Sequence, residues 1–259
     1  MTLIKQLPPE SSYAWRPADF ALLAVGLQAL EQETTLGQQQ QLRTYGELLL
    51  KWNATYNLLG ATATPRIIQD HLLDCVAVQP VLARWLPPQQ LLVDVGSGAG
   101  LPGILLAIID PHRPFLLVEP IGKKAAFLRQ VAATCRLPNV LVREACIEEG
   151  ELEPPTTPQA EDKLEQSALA ARTGGPHFIC RAFASLERFV KLSLSHASEQ
   201  SLFFAMKAVK VGAELKDLDP SIEVLAVEAL RAAAKDVHRN LVIMRPRRAP
   251  AALDMCQSA

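Results

Sequence analysis

A run of glycines follows an apolar segment near the middle of the chain, in the sequence VDVGSGAGLPG over residues 93–103. Gly96, Gly98 and Gly100 alternate with small residues, and Asp94 precedes the first of them by two positions. Glycine accepts positive φ angles and leaves the backbone bare, so that a ligand can press against the main chain. If a helix begins directly after the loop, its free N–H groups also face that ligand. The pattern therefore predicts a binding site for a polar ligand, built mostly from backbone.

Two classes of cofactor use a loop of this kind. Dinucleotide-binding folds use G-x-G-x-x-G, which the segment from Gly98 to Gly103 satisfies formally. Enzymes that use S-adenosylmethionine (SAM) typically carry D-x-G-x-G-x-G, which the segment from Asp94 to Gly100 matches in full. The dinucleotide match begins far beyond the apolar segment and requires Pro102 inside the helix start. The spacing favours SAM over a dinucleotide or a purely structural glycine turn.

Acidic residues at the ends of later apolar segments could hold other parts of such a cofactor. Glu119 ends the apolar run 114–119, and a carboxylate there can accept two hydrogen bonds from a ribose diol. The alternative is an ordinary solvated acid at a strand end. A third apolar run leads to Ile147 and Glu148, where a turn would lie beside an adenine.

The segments that must position these residues alternate in type along the chain. Helical periodicity predicts an N-terminal helical region over residues 1–86, with helices at 17–33, 38–53 and 65–86. Strands are then predicted at 91–95, 114–119, 139–144, 177–183 and 201–206, separated by helices at 101–109, 123–135 and 185–197. Two last strands, 222–230 and 240–245, have no long helix between them and are expected to pair antiparallel. This order predicts an α/β fold with a doubly wound, mostly parallel seven-stranded sheet over residues 87–248.

Composition limits the class of protein. The chain has 259 residues, 49% of them hydrophobic, which is enough for one large domain with a sizeable core. The five cysteines form no C-x-x-C pair and no histidine cluster has zinc spacing, so we expect reduced thiols and no metal. No signal peptide and no membrane span are expected, which places the protein in the cytoplasm.

The net charge of −1 conceals an uneven distribution. An acidic segment rich in proline and alanine interrupts the strand pattern at 150–176, and we interpret it as an exposed insertion. The remainder of the chain is mildly basic, which permits contact with phosphates without requiring it. Residues 249–259 are interpreted as a C-terminal tail.

Several longer segments occur in a specific order. They are YGELLLKWNATYNLLG (45–60), the H-x-x-D of His71 and Asp74, VDVGSGAGLPGILLA (93–107), GKKAAFLRQV (122–131), CRAFASL (180–186) and HRNLVIMR (238–245). With these segments the chain resembles the bacterial small-subunit (16S) ribosomal RNA guanine-N7 methyltransferases, a family once named glucose-inhibited division protein B. The glycine loop alone is common to SAM enzymes, whereas the other segments in this order are much more specific.

The resemblance implies a class I, Rossmann-like SAM-dependent methyltransferase, with S-adenosyl-L-homocysteine as the product. It places Gly96 and Leu101 at the cofactor loop, and Ile147 and Glu148 at the adenine. Arg181, at the end of the fourth strand, would face the methyl group and contact SAM or the incoming guanine. The implied partner is 16S ribosomal RNA or the small ribosomal subunit, and we expect the enzyme to act as a monomer.

Four positions in three places depart from the family pattern. Glu119 is followed by Pro120 where the family often has Asp-Ser, and Cys75 replaces the serine after H-x-x-D. Ala208 replaces the glycine that follows the lysine of the fifth strand. The last change puts the local backbone, and an RNA contact there, in question.

Basic residues are candidates for contact with RNA phosphates. Those proposed from the sequence are Lys123, Lys207, Lys210 and Arg239. His71 and Asp74 share one face of the predicted third helix, and we expect them to tie the helical region to the sheet.

The function predicted from the sequence is transfer of a methyl group from SAM to N7 of a specific guanine in 16S ribosomal RNA. Two alternatives remain open at this point. One is an NAD(P)-dependent oxidoreductase that uses the loop from Gly98 to Gly103. The other is a non-catalytic factor for ribosome assembly that binds SAM and RNA.

Overall fold

A computed structural model of the protein describes residues 15–59, 67–87, 89–147, 175–183, 185–208, 211–231 and 239–247. The predicted tail, Glu148, Lys210 and all but the last two residues of the predicted insertion at 150–176 lie outside these ranges.

The helices form two groups along the chain. The N-terminal group comprises α1 (Pro17–Ala29), α2 (Leu36–Tyr56), a π-helical segment (Ile67–Leu73), α3 (Asp74–Val76) and α4 (Gln79–Trp85). The second group lies between strands and comprises α5 (Gly103–Ile109), α6 (Gly122–Thr134), α7 (Leu186–Leu194) and α8 (Gly212–Lys216). The five-residue helix α8 was not predicted, because it is too short to show a helical period.

The seven strands form one sheet. They are β1 (Leu92–Val95), β2 (Phe115–Val118), β3 (Val140–Arg143), β4 (His177–Arg181), β5 (Phe203–Ala208), β6 (Ile222–Leu230) and β7 (Arg239–Pro246). Their order is β3-β2-β1-β4-β5-β7-β6. Strands β1 to β5 pair in parallel, whereas β7 runs antiparallel to both β5 and β6. The predicted doubly wound sheet and the antiparallel pairing of its last two strands are confirmed.

Alternate residues of the central strands point to opposite faces of the sheet, and each face has its own apolar core. Leu117 and Ile179 belong to the core that also contains residues of α1, α2, α5 and α6. Leu116 and Cys180, one position away in each strand, belong to the core beneath α7. Both faces of the parallel strands are therefore covered, as a nearly continuous apolar strand requires.

The prediction of one continuous helix over 65–86 is wrong. The described part of this region contains the π-helical segment, α3 and α4. Pro80 lies in the first turn of α4, where its missing N–H leaves no helical hydrogen bond unmade. In the interior of one long helix the same proline would break the backbone hydrogen-bond ladder, so the helix restarts instead.

Polar side chains of α2 join the N-terminal helices to α5 and α6, which pack on the sheet. The Gln38 side-chain amide donates to the carbonyls of Ile108 and Ile109, at 2.9 and 3.1 Å. The Gln41 amide donates to the carbonyl of Cys135 at 2.8 Å. Since the last carbonyls of a helix have no partner within it, α2 completes the hydrogen bonding of α5 and α6.

Arg113 should be one of the larger single contributors to stability. Its guanidinium is 1% exposed; it pairs with Asp110 at 3.0 Å and donates to the carbonyls of Leu86, Pro87 and Gln90. Arg113→Ala leaves these acceptors unpartnered, and we expect it to lower the free energy of unfolding in urea by about 3 kcal/mol or more.

The control is Arg129→Ala, which removes a half-exposed ion pair with Glu144. It should cost less than about 1 kcal/mol, because water screens such pairs. Equal losses in the two variants would show that the buried carbonyls do not depend on Arg113.

Candidate functional site

The candidate site lies at the carboxyl ends of β1, β2 and β4. The strand order reverses between β1 and β4, since β1 continues to β2 on one side and β4 to β5 on the other. In an open parallel sheet the crevice at such a reversal is the usual ligand site. The glycine loop, Glu119 and Arg181 all follow or end strands at this edge, so the sheet brings the sequence-predicted residues together.

The glycine loop has the backbone that the pattern predicts. Gly96, Gly98 and Gly100 have φ angles of +70°, +57° and +84°, which side chains disfavour. A Cβ at Gly100 would lie 2.6 Å from Cγ1 of Ile104, so this glycine permits close packing of α5. Among the residues that the structure describes, a Cβ at Gly98 would meet nothing closer than a backbone oxygen at 3.7 Å. Gly98 therefore borders open space that a ligand can fill.

Asp94 binds the residue at which the loop leads into α5, Gly103. Its side chain is buried, and Oδ2 accepts a hydrogen bond from the backbone N–H of Gly103 at 3.0 Å. The Oδ1 atom is buried and has no hydrogen-bond partner within the described part of the chain. Burial raises the pKa of Asp94 to about 7, against the opposing effect of the Gly103 N–H. The group thus carries its proton up to near neutral pH.

Glu119 binds the loop at its middle glycine, Gly98. Its buried carboxylate accepts from the N–H of Gly98 at 2.8 Å and from the N–H of Ile121 at 3.0 Å. Each carboxylate oxygen has a further lone pair after these bonds. Glu119 therefore joins the glycine loop to the start of α6 and keeps acceptor capacity, even though Pro120 follows it.

The two apolar residues predicted for this site lie in different cores, Leu101 in the core that contains α5 and Ile147 in the core beneath α7, and their contact with a cofactor stays a prediction. Leu101 and Ile147 are both buried, and the carbonyl of Ile147 accepts a hydrogen bond from the His196 ring at 2.7 Å. The placement of Glu148 lies outside the described residues. Together, the open space at Gly98 and the spare acceptors of Glu119 fit a nucleoside cofactor with hydroxyl groups.

Arg181 lies at the end of β4, as predicted, and is bound to the N-terminal region. Its Nη2 atom donates to the carbonyl of Asp70 at 2.9 Å and to Nδ1 of His71 at 3.1 Å, and it lies 3.3 Å from the Asp74 carboxylate. The expectation that His71 and Asp74 tie the helical region to the sheet is confirmed. A contact of Arg181 with SAM or guanine stays a prediction.

The histidine in this group is held neutral. Burial and the nearby Arg181 guanidinium lower the pKa of His71 to about 4. Because an arginine can only donate, Nδ1 of His71 accepts, and its single proton lies on Nε2. Cys75, which departs from the family pattern, is fully buried beside this group, and burial raises its pKa to about 12.

Tyr45 supports the glycine loop, a role that the sequence analysis missed. Its buried hydroxyl donates to the carbonyl of Ala99 at 2.7 Å, from α2 to the centre of the loop. The sequence marks Tyr45 only as an apolar position of an amphipathic helix, so nothing in the local pattern indicated this contact.

The predicted RNA contacts occupy different surroundings. Lys123 is exposed, with its ammonium 5.9 Å from the centre of the Tyr56 ring. Arg239 is partly exposed, and its Nε donates to Asp74 at 3.2 Å. Lys207 is 9% exposed and paired with Glu214 at 2.8 Å. This pairing uses its charge inside the protein and therefore disfavours its predicted role as a phosphate contact.

None of the helices in the described ranges is long and apolar enough to cross a membrane. Within the same ranges, no group of three or more histidine, cysteine, aspartate or glutamate side chains is placed to hold a metal ion.

The pKa of Asp94 predicts a distinctive dependence of stability on pH. The folded-state value of about 7 lies above the ordinary 3.8, so the folded state binds a proton that the unfolded state releases. Between about pH 5 and 7 the free energy of unfolding should rise as pH falls, by up to ~1.4 kcal/mol per pH unit from this group. Asp94→Asn removes this contribution.

The measurement is urea unfolding of both proteins across this pH range without cofactor, taking the difference between them. The difference cancels the opposing effect of the buried histidines, whose pKa values are lowered. Parallel curves for the two proteins would mean that Asp94 is already ionised in the folded state.

Comparison with known proteins identifies the family of the chain. Residues 38–242 match the family model described as GidB, rRNA small subunit methyltransferase G. Proteins named ribosomal RNA small subunit methyltransferase G are 36% identical in Leptothrix cholodnii over 87% of this chain and 94% of the relative, and 36% identical in Serratia proteamaculans over 80% and 90%. A SAM-dependent methyltransferase structure from Aquifex aeolicus aligns with a TM-score of 0.48 at 14% identity, over 70% of this chain and 94% of that one, which is too distant to support an argument. On the family match and the curated relatives, this chain belongs to the rRNA small subunit methyltransferase G family.

Proposed function

We propose that the protein transfers a methyl group from SAM to N7 of a specific guanine in 16S ribosomal RNA. The observation that carries the proposal is the glycine loop held between Asp94 and Glu119 at the reversal of the strand order, within the region that matches the rRNA methyltransferase family. The partner is 16S RNA or the small ribosomal subunit, and the enzyme acts in the cytoplasm as a monomer.

The residues at the crevice suit the parts of SAM. Glu119 would accept hydrogen bonds from the ribose hydroxyls, using the lone pairs that Gly98 and Ile121 leave free. Leu101 and Ile147 would contact the adenine, and the bare backbone at Gly96 and Gly98 would border the rest. When bound, SAM supplies a methyl group activated by its sulfonium and leaves as S-adenosyl-L-homocysteine.

Methylation of guanine N7 requires the protein mainly to position the two reactants. Guanine N7 has an exposed lone pair and no proton to lose, so its attack on the methyl group requires no general base. Catalysis can rest on proximity and orientation. The [Asn/Asp]-Pro-Pro-aromatic motif of exocyclic-amine methyltransferases is absent after β4, where the chain reads RAFAS.

The titratable groups near the crevice agree with this mechanism. His71 has a pKa of about 4 and uses Nδ1 to accept from Arg181, so it is poorly placed to serve as a base on that nitrogen. Burial raises the pKa of the Cys180 thiol well above its ordinary value, which disfavours a cysteine nucleophile. We propose that Arg181 acts through orientation, because its guanidinium does not give up a proton.

The oxidoreductase alternative is disfavoured by the place of its motif relative to β1. Strand β1 ends at Val95, and Gly98, the first glycine of the dinucleotide motif, follows only after Gly96 and Ser97, whereas that motif should begin directly after the strand. The close packing of Gly103 against Asp94 does not separate the two alternatives, because the third glycine of the dinucleotide motif also packs helix on strand. The family match independently supports methyl transfer.

The decisive test of the function is methyl transfer from labelled SAM to small ribosomal subunits and to naked 16S RNA. We expect one labelled guanine, identified by strand cleavage specific for 7-methylguanosine. Comparing the two substrates shows whether assembled ribosomal protein is required. SAM binding without any label would favour the non-catalytic assembly factor, and NAD binding in place of SAM would favour the oxidoreductase.

Glu119 allows a separate test of the cofactor. Glu119→Gln keeps the size of the side chain but loses the charge and one of its acceptor oxygens, so it cannot bind two backbone donors and a ribose together. Hydrogen bonds to charged groups contribute about 1.5–3 kcal/mol, so we expect calorimetric SAM affinity to fall about ten- to a hundredfold.

The matched control is Glu144→Gln, directly after β3, where the carboxylate is half exposed and pairs with Arg129. Its SAM affinity should stay at the wild-type value. If both variants bind SAM like the wild type, Glu119 does not hold the cofactor.

A further inference from the structure

The loop between β4 and α7 is held at both of its ends by one ion pair. The Lys207 ammonium, at the end of β5, donates to the carbonyl of Phe183 at 3.2 Å and to Oε2 of Glu214 at 2.8 Å. The same Glu214 oxygen accepts from the N–H of Leu186, the first residue of α7, at 2.9 Å. The Lys207–Glu214 pair thus binds one backbone group on each side of the loop.

The start of this loop has a backbone conformation that requires support. Ala182 has a φ angle of +54°, in the left-handed region that residues with a Cβ disfavour. Such a conformation persists only where surrounding contacts determine it. The Lys207 ammonium supplies a contact at the very next residue, on the carbonyl of Phe183, and so helps to hold Ala182 in place.

The loop residue that the pair holds touches the cofactor loop. A Cβ at Gly96 would lie 3.3 Å from Cε2 of Phe183, so the ring lies against the bare backbone of the glycine loop. On its other side the Phe183 ring lies 6.0 Å from the ring of Phe189 in α7. A shift of the Phe183 backbone would therefore be transmitted directly to the surface where the crevice between β1 and β4 opens.

The burial of Lys207 explains why its ammonium binds groups of the protein at this loop. The side chain is 9% exposed, and a buried ammonium requires a partner of opposite charge. Glu214 supplies that charge from α8, and the Phe183 carbonyl takes a second donor. Lys216, two residues further along the same helix, is exposed and provides a comparison with the same charge in solvent.

We propose that Lys207, paired with Glu214, is a positioning residue for methyl transfer. It holds the β4–α7 loop so that Phe183 lies against Gly96, at the entrance through which the acceptor base reaches the methyl group. This inference rests on the proposed function, because the acceptor base is the group that the loop would position. It assigns Lys207 no contact with RNA.

The structural part of the proposal is tested by hydrogen exchange of the intact protein without cofactor. In Lys207→Met the unpaired Glu214 carboxylate should turn to solvent, and in Glu214→Ala the acceptor itself is removed. Both variants should exchange faster than the wild type in the peptide that spans residues 182–189. Lys216→Met, which loses the same charge as Lys207→Met, should exchange at the wild-type rate. Unchanged exchange in both pair variants would overturn the proposal.

The functional part is tested by the kinetics of methyl transfer to the ribosomal substrate. A misplaced acceptor loop should lower kcat in both pair variants by about ten- to a hundredfold, with the KM for RNA and the affinity for SAM near wild type. Lys207→Arg keeps the charge and should recover part of kcat. Lys216→Met should behave as wild type.

A phosphate contact of Lys207 would give the opposite pattern. Lys207→Met would then weaken RNA binding and reduce its salt dependence by about one charge, and Glu214→Ala would strengthen RNA binding by freeing the ammonium. That result would overturn the proposal. If the wild type methylates no RNA but both pair variants exchange faster, the proposed function fails while the role of the pair in holding the loop stands.

Discussion

The crevice depends on a glycine loop that has almost no side chains of its own and must be held from outside. Two buried carboxylates do this, Asp94 through the N–H of Gly103 and Glu119 through the N–H of Gly98. Both acids can reach the loop because the parallel pairing of β1 with β2 places them at the same edge of the sheet. These two hydrogen bonds hold the loop in place, and the loop borders open space at Gly98.

The N-terminal helices complete the support on one face of the sheet. The α2 helix carries a hydroxyl to the Ala99 carbonyl and side-chain amides to the ends of α5 and α6. The Arg181 guanidinium binds the π-helical segment and Asp74 at the end of β4. A π-helical turn at such a position is common near functional sites. The helical region is therefore part of the site's framework.

A buried cation also holds neighbouring elements together on the other face of the sheet. Arg181, the last residue of β4, lies opposite Met206 of the neighbouring strand β5. Because successive side chains of a strand point to opposite faces, Lys207 lies on the other face of the sheet from Arg181. Arg181 binds the N-terminal region, and Lys207 binds Glu214 and the loop after β4. The two cations at this edge, both mostly buried, thus have protein partners. Exposed residues such as Lys123 are better placed for a partner outside the chain.

Much of the architecture could be predicted from the sequence, because its signals are local. Apolar runs of strand length, helical periods and the spacing from Asp94 to Gly100 all lie within short windows, and the structure places each strand within about two residues of its predicted bounds. The break in the helix over 65–86 was missed although Pro80 is visible in the sequence, because an apolar helical period continues across it.

The partners of charged and polar side chains were decided only by the tertiary structure. Sequence gives the charge of Lys207 but not its burial, which depends on α8 and on the strained backbone at Ala182. Arg181 lies about 110 positions from the residues it binds, and Tyr45 lies 54 positions from Ala99. No local pattern encodes such contacts, because they exist only once the sheet and helices have packed. The sequence by itself determined the fold and the position of the glycine loop, and packing determined which side chains support that loop and which face solvent.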